Sequence, residues 1–281
     1  MCHTVRSVSI DSENYPESLR NINDRPIIFY YKGFLNALVP DKCLAVVGSR
    51  RMTIYGRRVT EKVVYEVASR GITIVSGFMY GIDATSHKAA LSAGGRTVAI
   101  MPCGINRVHP AYQRDLYQEI LDSGGLIISE YPGNEQPQLW TYPRRNRIVA
   151  GLCKATLIVE AAISSGSLIT ANLAKEFGRK TLAVPGPITS TTSAGTNELI
   201  KSGAILIRNS QDILSVYGLG YEDLPIFEVK NNILSTLSRE PMCLNELCEA
   251  LGFSVAELGS KITVLLLSGQ IVEEGGRYYV N

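Results

Sequence analysis

The chain has 281 residues, which is more than one small core needs and suits a large domain with a minor one. Apolar residues make up 45% and charged residues 19%, which is typical of a globular protein. No bilayer-length apolar run and no secretory signal are present, so we expect no membrane partner and take the cytoplasm as the default compartment. The net charge of +2 is uneven, because residues 222–281 hold four Lys or Arg against nine Asp or Glu, a balance of −5 that leaves +7 on residues 1–221. A polyanionic ligand is therefore expected to bind the N-terminal part.

Apolar runs alternate with helical patterns from residue 44 onward. Seven runs rich in β-branched residues predict strands at 44–48, 72–77, 97–101, 126–130, 155–160, 181–185 and 204–208. The intervening periodicity predicts helices at 56–70, 82–92, 112–123 and 197–201. Strands without polar alternation are typical of a parallel sheet that helices cover on both faces.

The predicted fold class is α/β, with two domains. An extended Rossmann-like, doubly wound and mostly parallel sheet is expected at 41–215, with an N-terminal arm at 1–40 that ends in a short strand and packs on it. A linker at 216–225 then leads to a small winged-helix domain at 226–281. That domain is predicted from three short helices at 228–237, 244–251 and 255–268 and a hairpin at 270–280.

The most basic motif is Tyr-Pro-Arg-Arg-Asn-Arg-Ile at 142–148, which holds three arginines in four positions. Further along, a predicted strand is followed by Ser-Ser-Gly-Ser at 164–167, where a helix begins. Guanidinium groups bind phosphate oxygens through two hydrogen bonds, and free N–H groups at a helix N-terminus bind anions. The two segments together predict a phosphate site.

Small residues recur where the predicted strands end. Ser49 and Arg50 follow the first strand, Gly77 follows the second, and the segment 165–167 follows the fifth. Ligands of doubly wound sheets bind at these carboxyl ends, and glycine lets backbone N–H groups approach them, although it also permits tight turns. No Gly-x-Gly-x-x-Gly or Walker motif is present, so NAD or ATP binding of the usual kind is not expected.

Candidates for catalytic chemistry have structural interpretations that we favour. Asp83 and His87 lie four residues apart on one predicted helix, a spacing typical of a structural contact. Cys103 follows the third strand without an identifiable base. Glu130 and Glu160 each end a strand; they are either an acid–base pair or the ion-pair partners of the arginine cluster, and we favour the second hypothesis.

Aromatic residues flank the arginine cluster. Trp140, Tyr142 and Tyr131 are placed as a single-stranded nucleic acid would require, since bases stack on rings while arginines bind phosphates. Burial of Trp140 in the core is an equally good interpretation. The winged-helix region instead offers Lys261 against Glu257 on its third helix, and we expect it to contact protein and not DNA.

The motifs resemble, in order, those of the DNA-processing protein A family, DprA or Smf. They occur at 47–50, 76–83 with His87, 129–130, 143–151, 159–161, 165–171, 184–186 and 195–197. The resemblance extends from about residue 12 to the end of the winged-helix tail. Phe78 and Met79 stand where the family usually has Leu-Ala, and Asn106 and Gln113 replace the commoner Asp and Asn, which affects pocket shape more than charge.

The resemblance implies a non-enzymatic bacterial protein of natural transformation and competence. Such a protein binds single-stranded DNA and protects incoming strands. It acts as a mediator of DNA recombination by helping to load a RecA-type recombinase. It also forms a homodimer through its Rossmann-like domain. By motif position, the implied DNA site consists of Ser49, Arg50, Gly77, Arg144, Arg145, Asn146, Arg147, Ser165, Gly166, Ser167 and Lys175. No catalytic residue, metal or cofactor is expected.

Two other functions stay open. The fold is similar to that of the cytokinin-activating phosphoribohydrolases, so a nucleotide-binding or nucleotide-hydrolysing enzyme is the alternative, with Glu130 and Glu160 as catalytic residues. Their Pro-Gly-Gly-x-Gly-Thr turn is replaced here by Ser-Gly-Ser-Leu-Ile-Thr at 165–170. A transcription factor led by the winged helix is the third hypothesis, and it would prefer duplex DNA.

Overall fold

The computed structural model describes residues 4–39, 41–219, 232–238, 240–251, 255–267 and 269–280. The chain divides into a first unit at 1–223 and a second at 224–281. The linker expected at 216–225 stays a prediction, because residues 220–225 lie outside the described ranges.

The described part of the first unit is an α/β sandwich. Its strands are β1 Arg6–Ser9, β2 Ile28–Gly33, β3 Cys43–Val47, β4 Thr73–Ser76, β5 Thr97–Met101, β6 Leu126–Ser129, β7 Ala155–Ile158, β8 Lys180–Ala183 and β9 Ile205–Leu206. Its α-helices are α1 Glu17–Arg20, α2 Ile54–Ala68, α3 Ile82–Ser92, α4 Arg114–Asp122, α5 Thr141–Gly151, α6 Gly166–Glu176, α7 Ala194–Lys201 and α8 Ser210–Val216.

All nine strands belong to one sheet, in the order β1-β2-β6-β5-β4-β3-β7-β8-β9. Neighbours from β6 to β9 pair in parallel, whereas β2 pairs antiparallel with both β1 and β6. The prediction of a mostly parallel doubly wound sheet is therefore confirmed. The chain builds β3 to β6 on one side and then crosses to β7, so the strand order reverses between β3 and β7.

The centre of the sheet is apolar on both faces. Every residue of β3 is buried, and alternate side chains enter different cores. Ala45 packs in the core that includes Val149 of α5, whereas Leu44 packs in the core that includes Val64 of α2. Two helix layers thus exclude water from the central strands, which explains the lack of polar alternation in their sequences.

The structure adds elements that the sequence patterns did not predict. The arm contributes two strands at one side of the sheet, with Val8 opposite Phe29 and Tyr31 opposite Ile128, where the sequence predicted one strand. Helix α5 was not predicted by apolar periodicity either, because its first turns carry arginines where that pattern needs apolar residues. Pro143 does not break α5, since a proline in the first helical turn costs no intrahelical hydrogen bond.

The second unit has the predicted winged-helix elements. They are α9 Asn232–Leu237, α10 Leu244–Leu251, α11 Val255–Leu267, β10 Ile271–Glu274 and β11 Arg277–Val280. Leu247, Leu258 and Ile271 form its buried core, and the two strands pair around Gly275 and Gly276, both with positive φ. Residues 228–231 and 268 of the predicted helices lie outside the described ranges. None of the helices described in either unit has the length and apolarity needed to cross a bilayer.

A buried histidine joins α3 to the sheet. The Thr97 hydroxyl donates to the Ile74 carbonyl, so it accepts its hydrogen bond from His87 Nδ1, 2.6 Å away. His87 Nε2 has no hydrogen-bond partner among the described residues. Protonating this nitrogen would bury an unsatisfied donor. Burial, assisted by the positive charge of Arg145, accordingly lowers the pKa of His87 to about 3.

The free energy of unfolding should fall as the pH is lowered from 6.5 toward 3, because His87 becomes protonated in the unfolded chain but stays neutral in the folded one. Linkage gives a loss of up to about 2 kcal/mol between pH 7 and pH 5 from this residue. Urea unfolding at the two pH values measures it. His87→Asn keeps an N–H donor for Thr97 but does not titrate, so an equal loss in that variant would assign the effect to other groups.

Candidate nucleic-acid interface

The ligand edge of the first unit comprises the carboxyl ends of β3 to β7 and the loops that follow them. Arg145 of α5 lies beneath it, with only 4% of its surface exposed. Its Nη1 donates to the carbonyl oxygens of Gly77 and Ile100, which belong to the ends of β4 and β5. Arg145 is therefore a structural tie between two neighbouring strand ends.

The Arg145 guanidinium shares this buried position with a carboxylate. A Cβ on Gly77 would lie 2.5 Å from Arg145 Nη2 and 2.6 Å from Asp83 Oδ2, so both groups press on the same glycine. Asp83 Oδ2 also accepts a hydrogen bond from the Met79 N–H at 3.3 Å. Burial raises the pKa of Asp83, which the positive charge of Arg145 opposes. Burial lowers the pKa of Arg145 to about 10, so the guanidinium stays protonated at neutral pH.

Asp24 and Glu130 form ion pairs with the other two arginines of the cluster. Arg147 is 4% exposed, with Nη2 2.6 Å from Glu130 Oε1 and Nε 3.1 Å from Asp24 Oδ2. Arg144 is more exposed and lies 3.4 Å from the same two carboxylates. Asn146 Oδ1 accepts from Arg145 Nε at 3.3 Å. The N-terminal segment is thereby tied to α5 through Asp24.

The expectation that the whole arginine cluster faces a ligand is wrong for Arg145 and Arg147. Their guanidinium groups point inward, because desolvated cations require carbonyl or carboxylate partners and both residues have found them inside the protein. Arg144 is the exposed arginine of the cluster, and its charge is partly offset by Asp24 and Glu130.

Arg50 is an exposed cation of the ligand edge. It follows β3, and its guanidinium carbon lies 5.1 Å from the ring centroid of Tyr142 and 5.8 Å from that of Tyr80. Tyr142 is fixed by a 2.8 Å hydrogen bond between its hydroxyl and His109 Nε2. Within the described ranges, no carboxylate lies at ion-pair distance from Arg50. Its charge is available to an anion while the two rings hold its position.

The serine-rich turn caps a helix. The Ser165 side chain accepts the Ser167 N–H at 3.3 Å as the N-cap of α6, and the two hydroxyls are 2.7 Å apart. Gly166 is exposed, with open space where a Cβ would stand. Ser49 is held from below, because its N–H donates to the Glu160 carbonyl at 2.8 Å. The turn can bring a backbone group close to a ligand at Gly166.

Lys175 does not lie with the other predicted site residues. It belongs to the last turn of α6, about 13 Å along the helix from Gly166. Because α6 begins at the ligand edge, its C-terminal end lies toward the opposite edge of the sheet. Lys175 therefore lies apart from the phosphate site at the α6 N-terminus, and its contact with DNA stays a prediction.

The carboxylates at the ligand edge have different partners. Glu130 pairs with arginines of the cluster, as expected. Glu160 does not; its oxygens accept the N–H and the hydroxyl of Thr53 at 2.9 and 2.5 Å. The ion-pair hypothesis was thus wrong for Glu160. Burial raises the pKa of the Cys103 thiol to about 11, so this group is not a thiolate nucleophile at neutral pH.

Sequence reasoning missed Tyr80 and left Trp140 undecided. Tyr80 is exposed and faces Arg50, in a loop where Phe78 has a φ of 59° and is buried. Gln113 donates to the Phe78 carbonyl at 2.9 Å, so two departures from the family pattern contact each other beneath the surface. Trp140 is 58% exposed, with its ring edge-on to Tyr131 at 6.0 Å. Its burial in the core is thereby excluded.

The fold and the edge together define a class: a Rossmann-like α/β protein with a C-terminal winged-helix domain and a ligand edge of arginine and aromatic side chains. The family model for DNA recombination-mediator protein A matches residues 6–218, and that for the DprA winged helix domain matches residues 228–277. The chain therefore belongs to the DNA recombination-mediator protein A family, which includes DprA and Smf. The resemblance predicted from the motifs is confirmed.

Relatives match most of the chain. Protein Smf of Escherichia coli is 37% identical over 285 residues, covering 96% of this chain and 76% of the relative. The X-ray structure of DprA from Streptococcus pneumoniae has a TM-score of 0.70 at 40% identity, over 75% of this chain and 73% of that one. DNA processing protein A from Helicobacter pylori, solved for its single-stranded DNA binding mode, has a TM-score of 0.69 at 30% identity, over 76% and 95%.

Adding one methyl group should distinguish the two glycines of this edge. Gly77→Ala forces a Cβ against the buried Arg145 and Asp83 pair, so we expect a loss of about 1 to 3 kcal/mol in the free energy of unfolding. Gly166→Ala meets open space at the start of α6 and should be neutral or slightly stabilising. Chemical unfolding of both variants measures the difference, and equal stability would show that Arg145 and Asp83 can move apart cheaply.

Proposed function

We propose that this protein binds single-stranded DNA along its ligand edge, holds it without chemical change, and acts as a recombination mediator. The position of the Arg50 side chain is the observation that supports the proposal most directly. It is an exposed guanidinium fixed between Tyr80 and Tyr142, which suits a phosphate bound beside stacked bases. The +7 balance of residues 1–221 provides long-range attraction for a polyanion.

The exposed aromatic segment before α5 supports a flexible single strand as the ligand. Trp140 and its neighbour Leu139 are open to solvent, one helical turn before the exposed Arg144. A base stacked on Trp140 would place its phosphate near that arginine. Duplex DNA keeps its bases inside the helix, so a stacking surface of this kind favours unpaired bases.

The relatives support the same ligand. The Helicobacter pylori relative is described as having a unique single-stranded DNA binding mode, and the Streptococcus pneumoniae relative is named a DNA processing protein. From family membership we extend the proposal to protection of incoming strands during natural transformation, loading of a RecA-type recombinase, a homodimer and a cytoplasmic location.

The proposed DNA contacts are revised from the sequence-based set. Arg50, Arg144 and the backbone at Gly166 contact the strand, with Ser49 and Asn146 beside them. Arg145, Arg147 and Gly77 position these contacts from below, and the hydroxyls of Ser165 and Ser167 maintain the α6 turn. Lys175 lies outside this revised set.

An enzyme of the phosphoribohydrolase type has less support. Both oxygens of the Glu160 carboxylate are engaged by Thr53, and Glu130 is paired with arginines. A general acid or base must reach the reacting group of a substrate. Glu160 has both oxygens engaged, and the Glu130 carboxylate is held by arginines through Oε1 while its Oε2 is buried, so we propose a binding protein and not an enzyme.

The winged-helix unit is proposed as a protein-binding module. Its described charged residues include Glu246, which pairs with Arg277 at 3.0 Å, and the acidic pair Glu273 and Glu274 on β10. Residues 224–281 hold four Lys or Arg against seven Asp or Glu, and this negative balance repels phosphates. Single-stranded DNA should therefore bind the first unit.

Replacing Arg50 should reduce both affinity and salt dependence. Arg50→Ala is expected to weaken oligo-dT binding about tenfold or more and to lower the slope of log K against log salt by about 0.7, the value for one phosphate contact on a single strand. Arg144→Ala should have a smaller effect, because Asp24 and Glu130 already offset its charge. Fluorescence anisotropy across a salt series measures both quantities.

Arg96→Ala is the matched control, since Arg96 is exposed but precedes β5 at the opposite edge of the sheet. Competition among oligo-dT, duplex DNA and dTMP completes the test. Preference for the duplex would support the transcription-factor hypothesis, and preference for dTMP would support the nucleotide enzyme. An Arg50→Ala protein with wild-type affinity and slope would refute the site.

Trp140 is the single tryptophan of the chain and gives a direct optical signal. Oligo-dT should quench its fluorescence, and Trp140→Ala should lose about 1 to 3 kcal/mol of binding free energy, the usual worth of one base–aromatic stack. Trp140→Phe should lose less, because a ring remains. Tyr65→Ala, an exposed aromatic in the second half of α2, should leave the affinity unchanged. Unquenched fluorescence at saturating DNA would exclude stacking on Trp140.

A further inference from the structure

The N-terminus of α2 is occupied by a carboxylate from a distant part of the chain. Glu160, just beyond β7, is only 1% exposed. Its Oε2 accepts the Thr53 N–H at 2.9 Å, and its Oε1 accepts the Thr53 hydroxyl at 2.5 Å. A Cβ on Gly56, in the first turn of α2, would collide with the same carboxylate. Glycine at this position lets the anion rest against the helix.

The backbone of Glu160 holds the other end of the same loop. Its carbonyl accepts the Ser49 N–H at 2.8 Å. One residue therefore fixes both ends of the segment 49–53, and Arg50 lies between the two attachment points. The backbone that carries Arg50 is thus attached on both sides.

The position matters because of the sheet topology. The strand order reverses between β3 and β7, and doubly wound sheets bind ligands at such a switch point. Nucleotide phosphates there take the positive end of the helix that follows the first parallel strand, which is α2 here. Helix α2 has no acidic residue of its own in its first turn, so Glu160 supplies the anion that its dipole favours.

We infer that Glu160 is an internal anion that closes the α2 N-terminus to the phosphate groups of mononucleotides and positions Arg50 for a polymer. It is a positioning and specificity-determining residue and not a catalytic one. A mononucleotide relies on a deep site for its phosphates. A DNA strand distributes its phosphates along the surface, so filling this one pocket costs it little affinity. The claim that Glu160 positions Arg50 for DNA rests on the proposed function, whereas the claim that it excludes mononucleotide phosphates does not.

Removing the carboxylate tests both halves. Glu160→Ala should vacate the α2 N-terminus, and millimolar inorganic pyrophosphate or ADP should then raise the melting temperature of the variant but not of the wild type. The same variant should bind oligo-dT about tenfold more weakly with a reduced salt slope, because Arg50 is no longer held. Glu160→Gln fills the same volume and can still accept from the Thr53 N–H. Its melting temperature should therefore not respond to pyrophosphate, and its affinity for oligo-dT should be within about threefold of the wild-type value.

A second variant keeps the test valid if Glu160→Ala does not fold. Gly56→Ala keeps Glu160 but places a methyl group, at a helical position, where its carboxylate lies, so it should loosen the attachment to Thr53 and weaken DNA binding. Wild-type DNA affinity in Gly56→Ala, or in folded Glu160→Ala, would overturn the positioning role. Folded Glu160→Ala without a pyrophosphate response, or wild type with one, would overturn the exclusion role. A wild type that fails to bind oligo-dT would refute the proposed function and leave the pyrophosphate result to decide the exclusion.

Discussion

The buried guanidinium of Arg145 is the contact on which the geometry of the ligand edge depends. It donates to the carbonyls of Gly77 and Ile100, at the ends of β4 and β5, and the nearby carboxylate of Asp83, at the start of α3, attracts the same cation. A charge without water is costly unless each of its donors has a partner. The strand ends therefore cannot separate without leaving that charge uncompensated, which makes the edge rigid where a ligand would bind.

Charged groups at this edge have two distinct roles, and burial separates them. Arg145, Arg147 and Glu160 are almost fully buried and engaged with other parts of the protein, whereas Arg50 is exposed and held by rings. The buried ions fix loops that come from distant parts of the sequence. Arg50 keeps a charge that no carboxylate of the described chain neutralises. Such an arrangement provides a preformed surface, so binding does not have to order it first.

Sequence patterns predicted strands β3 to β9 well and the side of the sheet that the N-terminal arm forms poorly. Strands such as β3 are buried on both faces, and their continuous apolar runs carry that information locally. The pairing of β1 with β2 depends on register between segments about 20 residues apart, which periodicity does not express. Among site residues, Arg50 was predicted from its place after a strand, whereas Arg145 and Lys175 were included because of residue type or motif alone.

The sequence by itself determined the order of strands β3 to β9, the family and the concentration of positive charge before residue 222. Only the tertiary structure decided which arginines meet solvent. That choice depends on partners remote in sequence, such as Asp24 for Arg147 and Gly77 for Arg145. A cation goes inside where the fold supplies oxygens to receive it and stays outside where it does not, and no local pattern contains that information.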